Sequence, residues 1–223
     1  MMVVISPHLD DAVFGCGRLL ASRPGSIVVT LFAGVPEDSG QLTQWDARCG
    51  FLSAAEAVSA RRSEDERALA LLDARPVWLD FLDSQYGKSP SAAVLASALR
   101  RTLQELQPTE LVFPLGLFHS DHLISHEASV EALKGVLDGE MIVYEDALYR
   151  SMAGLLQQRL AALARAQVTA SPCAMAGKGS PDDIDERKPQ AVQAYASQLR
   201  ALSAERIADL RHPERFWKLE PSR

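Results

Sequence analysis

Five short runs rich in β-branched or aromatic residues punctuate the chain: MVVIS (2–6), SIVVTLF (26–32), PVWLDF (76–81), ELVFPL (110–115) and MIVYE (141–145). Each has the length of a strand. Between them lie DDAVFGCGRLLA (10–21), AAEAVSARRSEDERALALLDA (54–74), SAAVLASALRRTLQEL (91–106) and DHLISHEASVEALKGVL (121–137), whose apolar residues recur at helical spacing. In the second of these, Ala57, Arg61, Glu64, Ala68, Leu71 and Leu72 fall at steps of three and four. Near-continuous apolar strands that alternate with helices predict an α/β domain built on a mostly parallel sheet with helices on both faces.

The last third reads differently. Residues 151–167 and 188–202 carry helix patterns, the second with Pro189 near its first turn, and a polar linker (177–183) separates them. Residues 151–223 are therefore expected to form a C-terminal helical extension of a single domain covering 1–223. The stretch 35–52 reads as a long loop near the strand ends, a place where function concentrates. At 223 residues, 47% of them hydrophobic, the chain can bury a sizeable core. Its net charge of −6 argues against a nucleic-acid partner. Cys16, Cys49 and Cys173 are far apart and form no CxxC pair, so neither a disulfide framework nor a cysteine metal site is expected. No run has the roughly 20 apolar residues of a membrane span, and no secretory leader pattern opens the chain. A cytoplasmic protein without a membrane span fits these features, and a homo-oligomer is compatible with them.

Just past the first strand, VVISPHLDDAVFG (3–15) places His8, Asp10 and Asp11 on the turn into the first helix. Open Rossmann-like sheets bind ligands there, outside the carboxyl ends of the strands. A bland account exists: Ser6 as a helix cap, Pro7 in the first turn, and the aspartates as favourable charges at a helix N-terminus. A second cluster changes the weighing. GLFHSDHLISHE follows the fourth strand and sets His119, Asp121, His122 and His126 within eight positions. Nitrogen and oxygen donors from two strand-end loops suit Zn²⁺ or another divalent transition metal, and three protein ligands leave a position for water. An adjacent aspartate can serve as general base. Spacing alone does not say whether such a water attacks a carbonyl or a phosphorus centre.

Taken together, these segments resemble the PIG-L/LmbE-like zinc-dependent N-deacetylases. The matching residues are SPHLDD (6–11), Arg61 and Glu64 in RRSEDERALALL, HSDH (119–122), YED (144–146), and Lys188, Ala191, Tyr195, Ser197 and Gln198. The resemblance implies that His8, Asp11 and His122 hold zinc, with Asp10 as general base. His119 would stabilise the oxyanion or protonate the leaving amine. Asp121 would orient a histidine. Arg61 would reach a substrate hydroxyl or phosphate, or else only pair with Glu64. The implied substrate is an N-acetylated sugar or related small conjugate. The chain has HSDH where many relatives have HPDH, which removes no ligand. Leu117 and Phe118 stand where some relatives carry a tyrosine that acts on the oxyanion. His126 is expected to pack on its helix face.

Two other classes remain at this point. One is a metal-dependent phosphoesterase using the same ligands, which a second metal would favour. The other is a nucleotide-binding module, because Gly15-Cys16-Gly17 partly mimics a phosphate-binding glycine loop, though inside a helix. Trp45, Asp46, Arg48 and Tyr86, in or near strand-end loops, either line a sugar pocket or pack the loop.

Overall fold

A computed structural model describes residues 1–134, 140–177 and 179–221. The end of the fourth helix pattern (135–137), Lys178 of the linker and residues 222–223 lie outside them. Strands β1 (Met2–Ser6), β2 (Ile27–Thr30), β3 (Arg75–Trp78), β4 (Glu110–Pro114) and β5 (Met141–Tyr144) form the expected parallel core. The complete sheet has seven strands in the order β3-β2-β1-β4-β5-β7-β6. β1 and β4 are direct neighbours, with Met2 opposite Glu110 and Val4 opposite Val112. Strand order reverses between them, which opens a crevice above their carboxyl ends.

The unbroken apolar character of β1 follows from its position. Met2 and Val4 pack against α1 (Asp11–Ala21), α3 (Ala54–Leu71) and α7 (Pro181–Gln193). Val3 and Ile5 face the opposite layer, with α4 (Ala92–Leu106), α5 (Ser120–Leu133) and α6 (Leu155–Arg165). A strand covered on both faces has no reason to alternate polar and apolar residues.

The C-terminal third corrects the expectation of a purely helical extension. Besides α6 and α7 it forms α8 (Ala196–Ala201) and α9 (Ala204–Asp209), and it also supplies β6 (Val168–Cys173) and β7 (Phe216–Pro221). These two strands extend the sheet antiparallel, β7 on β5 and β6 on β7. β6 is a half-exposed edge strand. Its polar positions and Pro172 blur the strand signal, yet an edge tolerates proline because one side of the backbone needs no partner. Two smaller differences follow the same logic. Stretch 35–52 contains a short helix, α2 (Gln44–Cys49), capped by the Thr43 side chain and ended by Gly50 at φ 89°. Helix α7 begins at Pro181, inside the supposed linker, so Pro189 sits in its interior rather than its first turn.

Helix α1 is kinked at Cys16 (φ −133°, ψ 15°). The backbone N–H groups of Arg18 and Leu19 donate to the Glu214 carboxylate at 2.7 and 3.1 Å, and Lys188 Nζ donates to the same carboxylate at 2.7 Å. The flanking glycines serve packing. A Cβ on Gly15 would lie 2.7 Å from the Tyr144 ring, and one on Gly17 would lie 2.9 Å from the Lys188 side chain. Both are buried against protein, so the glycine loop of the nucleotide-binding reading presents no surface to a phosphate. Among the described residues no helix is long and apolar enough to cross a membrane.

Candidate metal centre and active site

The loop leaving β1 and the start of α5 meet above the β1/β4 crevice. Ser6 shapes the first loop: its Oγ donates to the His8 carbonyl at 2.7 Å and accepts from Ala12 N–H at 3.0 Å. Asp11 opens α1, and its Oδ2 lies 3.1 Å from His8 Nδ1 and 3.2 Å from His122 Nε2. The His8 backbone N–H donates to the same oxygen at 2.9 Å. His8, Asp11 and His122 thus offer three donor atoms within 4.8 Å of one another. Donors about 2.0–2.1 Å from a tetrahedral ion lie about 3.3–3.4 Å apart. The His₂Asp set therefore fits a divalent transition metal in spacing and in donor chemistry.

Each imidazole is anchored through its other nitrogen. His8 Nε2 lies 3.1 Å from Asp121 Oδ2, and His122 Nδ1 lies 2.6 Å from Asp146 Oδ1. Asp121 is fixed in turn by the Ser84 N–H at 3.0 Å and Ser89 Oγ at 3.1 Å. Asp146 Oδ2 accepts from the N–H groups of Gly116 and Leu117 at 2.9 and 3.0 Å. Carboxylates placed this way set the tautomer and orientation of metal-binding histidines. His8, His119 and Asp121 form a second donor group. It shares His8 with the first, and an imidazole bonded to a carboxylate through one nitrogen serves one ion through the other, so the geometry describes a single metal position.

The charges follow from this crowding. Burial opposes ionisation of Asp11, but His122 and His8 outweigh it and hold the carboxyl far below its usual range. Burial likewise opposes protonation of His122, yet Asp11 and Asp146 push its pKa up to about 9. Asp10 behaves in the opposite way. It precedes α1 but makes no capping hydrogen bond, and its carboxyl lines the cavity. Burial and the neighbouring Asp11 charge raise it well above the ordinary aspartate value. His119 caps α5 by accepting the Asp121 N–H on Nδ1 at 3.3 Å, which leaves the Nε2–H as its donor. Burial and the nearby His8 and His122 charges lower its pKa.

His8, Asp10, Asp11, His119 and His122 line one cavity of about 380 Å³, together with Arg61, Trp45, Arg48 and Tyr86. Arg61 does not pair with Glu64. Its guanidinium donates to Asp46 Oδ1 at 2.7 Å and to the Tyr86 hydroxyl at 3.2 Å, whereas Glu64 accepts from the Ser197 N–H and Oγ at 2.8 and 2.6 Å. A helical spacing of three permitted the Arg61–Glu64 pair, but stronger partners on other elements took both residues. His126 packs as expected: its Nδ1–H donates to the Pro114 carbonyl at 2.9 Å and its ring lies 5.5 Å from that of Phe113.

Sequence reasoning gave no role to Asp146, Tyr149, Gln198 or Arg206. Asp146 was detectable, since YED ends a strand as the other two clusters do. Tyr149 carried no such signal; the turn after β5 brings its ring to 5.2 Å from His122 and 6.4 Å from His119. Gln198 and Arg206 reach the cavity from α8 and α9.

Comparison with known proteins agrees with this geometry. The PIG-L family model, described as GlcNAc-PI de-N-acetylase, matches residues 3–133, more than half of the chain. No curated protein sequence matches it. Among solved structures, a triple mutant of the deacetylase of the teicoplanin biosynthetic pathway is 27% identical, with TM-score 0.77 over 99% of this chain and 98% of that one. The zinc-inhibited form of the teicoplanin deacetylase Orf2 is 25% identical, with TM-score 0.78 over the same shares. The A40926 pseudoaglycone deacetylase Dbv21 shares the fold at 24% identity and TM-score 0.78, over 100% of this chain and 98% of that one. By the family match and by the deacetylases that share its architecture end to end, this chain belongs to the PIG-L family and is a hydrolase of the N-deacetylase class.

Proposed function

We propose that the protein removes the acetyl group from an N-acetylated sugar or a related small conjugate, using a zinc ion held by His8, Asp11 and His122. The observation that carries this reading is the convergence of His8 Nδ1, Asp11 Oδ2 and His122 Nε2 beside an aspartate, Asp10, that makes no capping bond and faces the cavity. Bound there, the ion supplies Lewis acidity, which acidifies water and polarises a carbonyl. Asp10 takes the proton of the attacking water as general base. His119 presents its Nε2–H to the oxyanion or to the departing amine, and Tyr149 brings a phenol donor to the same wall. Asp121 and Asp146 hold His8 and His122 in place. Arg61, already bonded to Asp46 and Tyr86, offers a fixed guanidinium edge to a substrate hydroxyl.

Residues 1–223 act in this reading as one catalytic domain. The C-terminal part contributes two strands to the sheet and Gln198 to the cavity wall. A panel of N-acetylated sugars assayed for acetate release, after chelation and after zinc is restored, tests the proposal. Metal-dependent acetate release is expected. Phosphate-ester hydrolysis exceeding acetate release would move the chain to the phosphoesterase class.

A further inference from the structure

We infer that the buried pair Lys188–Glu214 is a positioning device for Asp11, setting the turn of α1 that carries this carboxylate and, through it, the affinity of the site for its metal; this rests on the metal-dependent deacetylase reading and adds to it two residues outside the cavity. Helix α1 breaks at Cys16 (φ −133°, ψ 15°), so Asp11–Gly15 is little more than one turn. A turn of that length does not hold its shape by its own hydrogen bonds. Its direction comes from what it is tied to. At its start, the Ala12 N–H donates to Ser6 Oγ at 3.0 Å. At its far end the tie is Lys188, whose Nζ donates to the Phe14 carbonyl at 3.0 Å and to Glu214 Oε1 at 2.7 Å.

In an unbroken helix the N–H groups of Arg18 and Leu19 would meet the carbonyls of Phe14 and Gly15. Here they donate to the Glu214 carboxylate at 2.7 and 3.1 Å. The ion pair therefore stands inside the helix and joins its two halves, the ammonium on a carbonyl of the first and the carboxylate on N–H groups of the second. Both side chains are almost completely buried, and the Lys188 stem packs on Gly17, with Cγ 2.9 Å from where a Cβ would lie. The joint has little room to shift. The turn it fixes begins with Asp11, whose Oδ2 lies 3.1 Å from His8 Nδ1 and 3.2 Å from His122 Nε2. Metal–ligand distances tolerate displacements of only about 0.2 Å. Lys188 comes from α7 and Glu214 from the segment before β7, so the C-terminal third, which supplies none of the three proposed ligands, governs the placement of one.

The test compares the full-length protein with Lys188→Met, Glu214→Gln and the paired variant carrying both. Zinc affinity is read by competition with a chromogenic chelator, below the unfolding temperature of each metal-free protein, and the visible absorption of the cobalt-loaded proteins reports the coordination of the ion. Each single substitution is expected to weaken zinc binding by about 10- to 100-fold, the usual effect of losing a residue that orients ligands, and to alter the cobalt spectrum. Because both residues act through one joint, the paired variant should lose about as much as the larger single loss rather than the product of the two. Thermal unfolding separates this role from a merely structural one. A single substitution strands a buried charge and lowers Tm, whereas removing both charges restores much of it. A paired variant that is stable yet weak in zinc binding and altered in its cobalt spectrum supports positioning. Wild-type zinc affinity and cobalt spectrum in the paired variant overturn it, whatever the single substitutions do to Tm; if the paired variant does not fold, the same two readings on the single variants decide. Absence of zinc binding by the wild type overturns the metal site and the inference with it. Tight zinc binding without acetate release from any N-acetylated sugar overturns deacetylation alone, since neither reading needs turnover.

Discussion

The Nδ1 of His122 lies 2.6 Å from Asp146 Oδ1, with both side chains almost completely buried. The contact joins the first turn of α5 to the loop after β5. Through its second oxygen Asp146 also receives the N–H groups of Gly116 and Leu117, so one carboxylate fixes His122 and the segment that leads to it.

Asp146→Asn should therefore weaken metal binding without replacing any of the three proposed ligands. The amide cannot accept on both sides, so either the imidazole or the loop loses its partner. A fall in metal affinity of about 10- to 100-fold is expected, read by competition with a chromogenic chelator. Unchanged affinity would remove Asp146 from the support of the site.

The five parallel strands and the meeting of the loops after β1 and β4 were legible because their signals are local: apolar runs of strand length, and clustered His and Asp residues directly after two of them. Asp121 could be expected to orient a histidine, though spacing did not say that His8 was the partner. The partners of Arg61 and Glu64 could not be read, since Asp46 and Ser197 come from other elements and nothing in a helical spacing competes with a buried carboxylate 2.7 Å away. Edge strand β6 escaped because half of its residues face solvent, which erases the apolar run on which strand recognition depends. Tyr149 escaped for a further reason. The turn that places it has no periodicity, and its position becomes meaningful only when β5 lies beside β4.

Gly15→Ala probes the packing role of the glycines in α1. The added methyl would sit 2.7 Å from a fully buried tyrosine ring whose hydroxyl donates to the Ile5 carbonyl at 3.0 Å, so the ring has little freedom to withdraw. A loss of about 1–3 kcal/mol is expected from overpacking, measured by urea denaturation. Wild-type stability in the variant would show that this contact is slack.

His126 supplies a pH dependence. Burial, with some help from the Arg159 charge, lowers its pKa to about 3, against an ordinary value of 6.5. The unfolded chain binds a proton at this position below pH 6.5, whereas the folded one resists until about 3. Its contribution to stability is therefore complete above pH 6.5 and is lost as pH falls toward 3, at up to about 1.4 kcal/mol per pH unit. Urea denaturation at pH 7, 6 and 5 should show a steeper loss for the wild type than for His126→Gln, which lacks the titrating group. Parallel curves for the two proteins would contradict the assignment.

The adjacent aspartates separate metal holding from chemistry. Asp11 accepts the His8 N–H and stands about 3 Å from a nitrogen of His8 and of His122, so Asp11→Ala would remove a proposed ligand and the charge that draws both imidazoles together. Asp10, one residue earlier, is only partly buried and bonds to neither histidine. Asp10→Asn should keep the size of the side chain and nearly full metal content, measured by elemental analysis, while turnover falls by about 10² to 10⁴, the usual worth of a general base. Because the base acts as the water attacks, kcat and kcat/KM should fall together and KM should change little. In Asp11→Ala metal content itself should drop, with activity recovering only in part at high zinc concentration. If the two substitutions exchanged these signatures, the ligand would be Asp10 and the base Asp11, and the geometry above the β1/β4 crevice would have to be assigned the other way round.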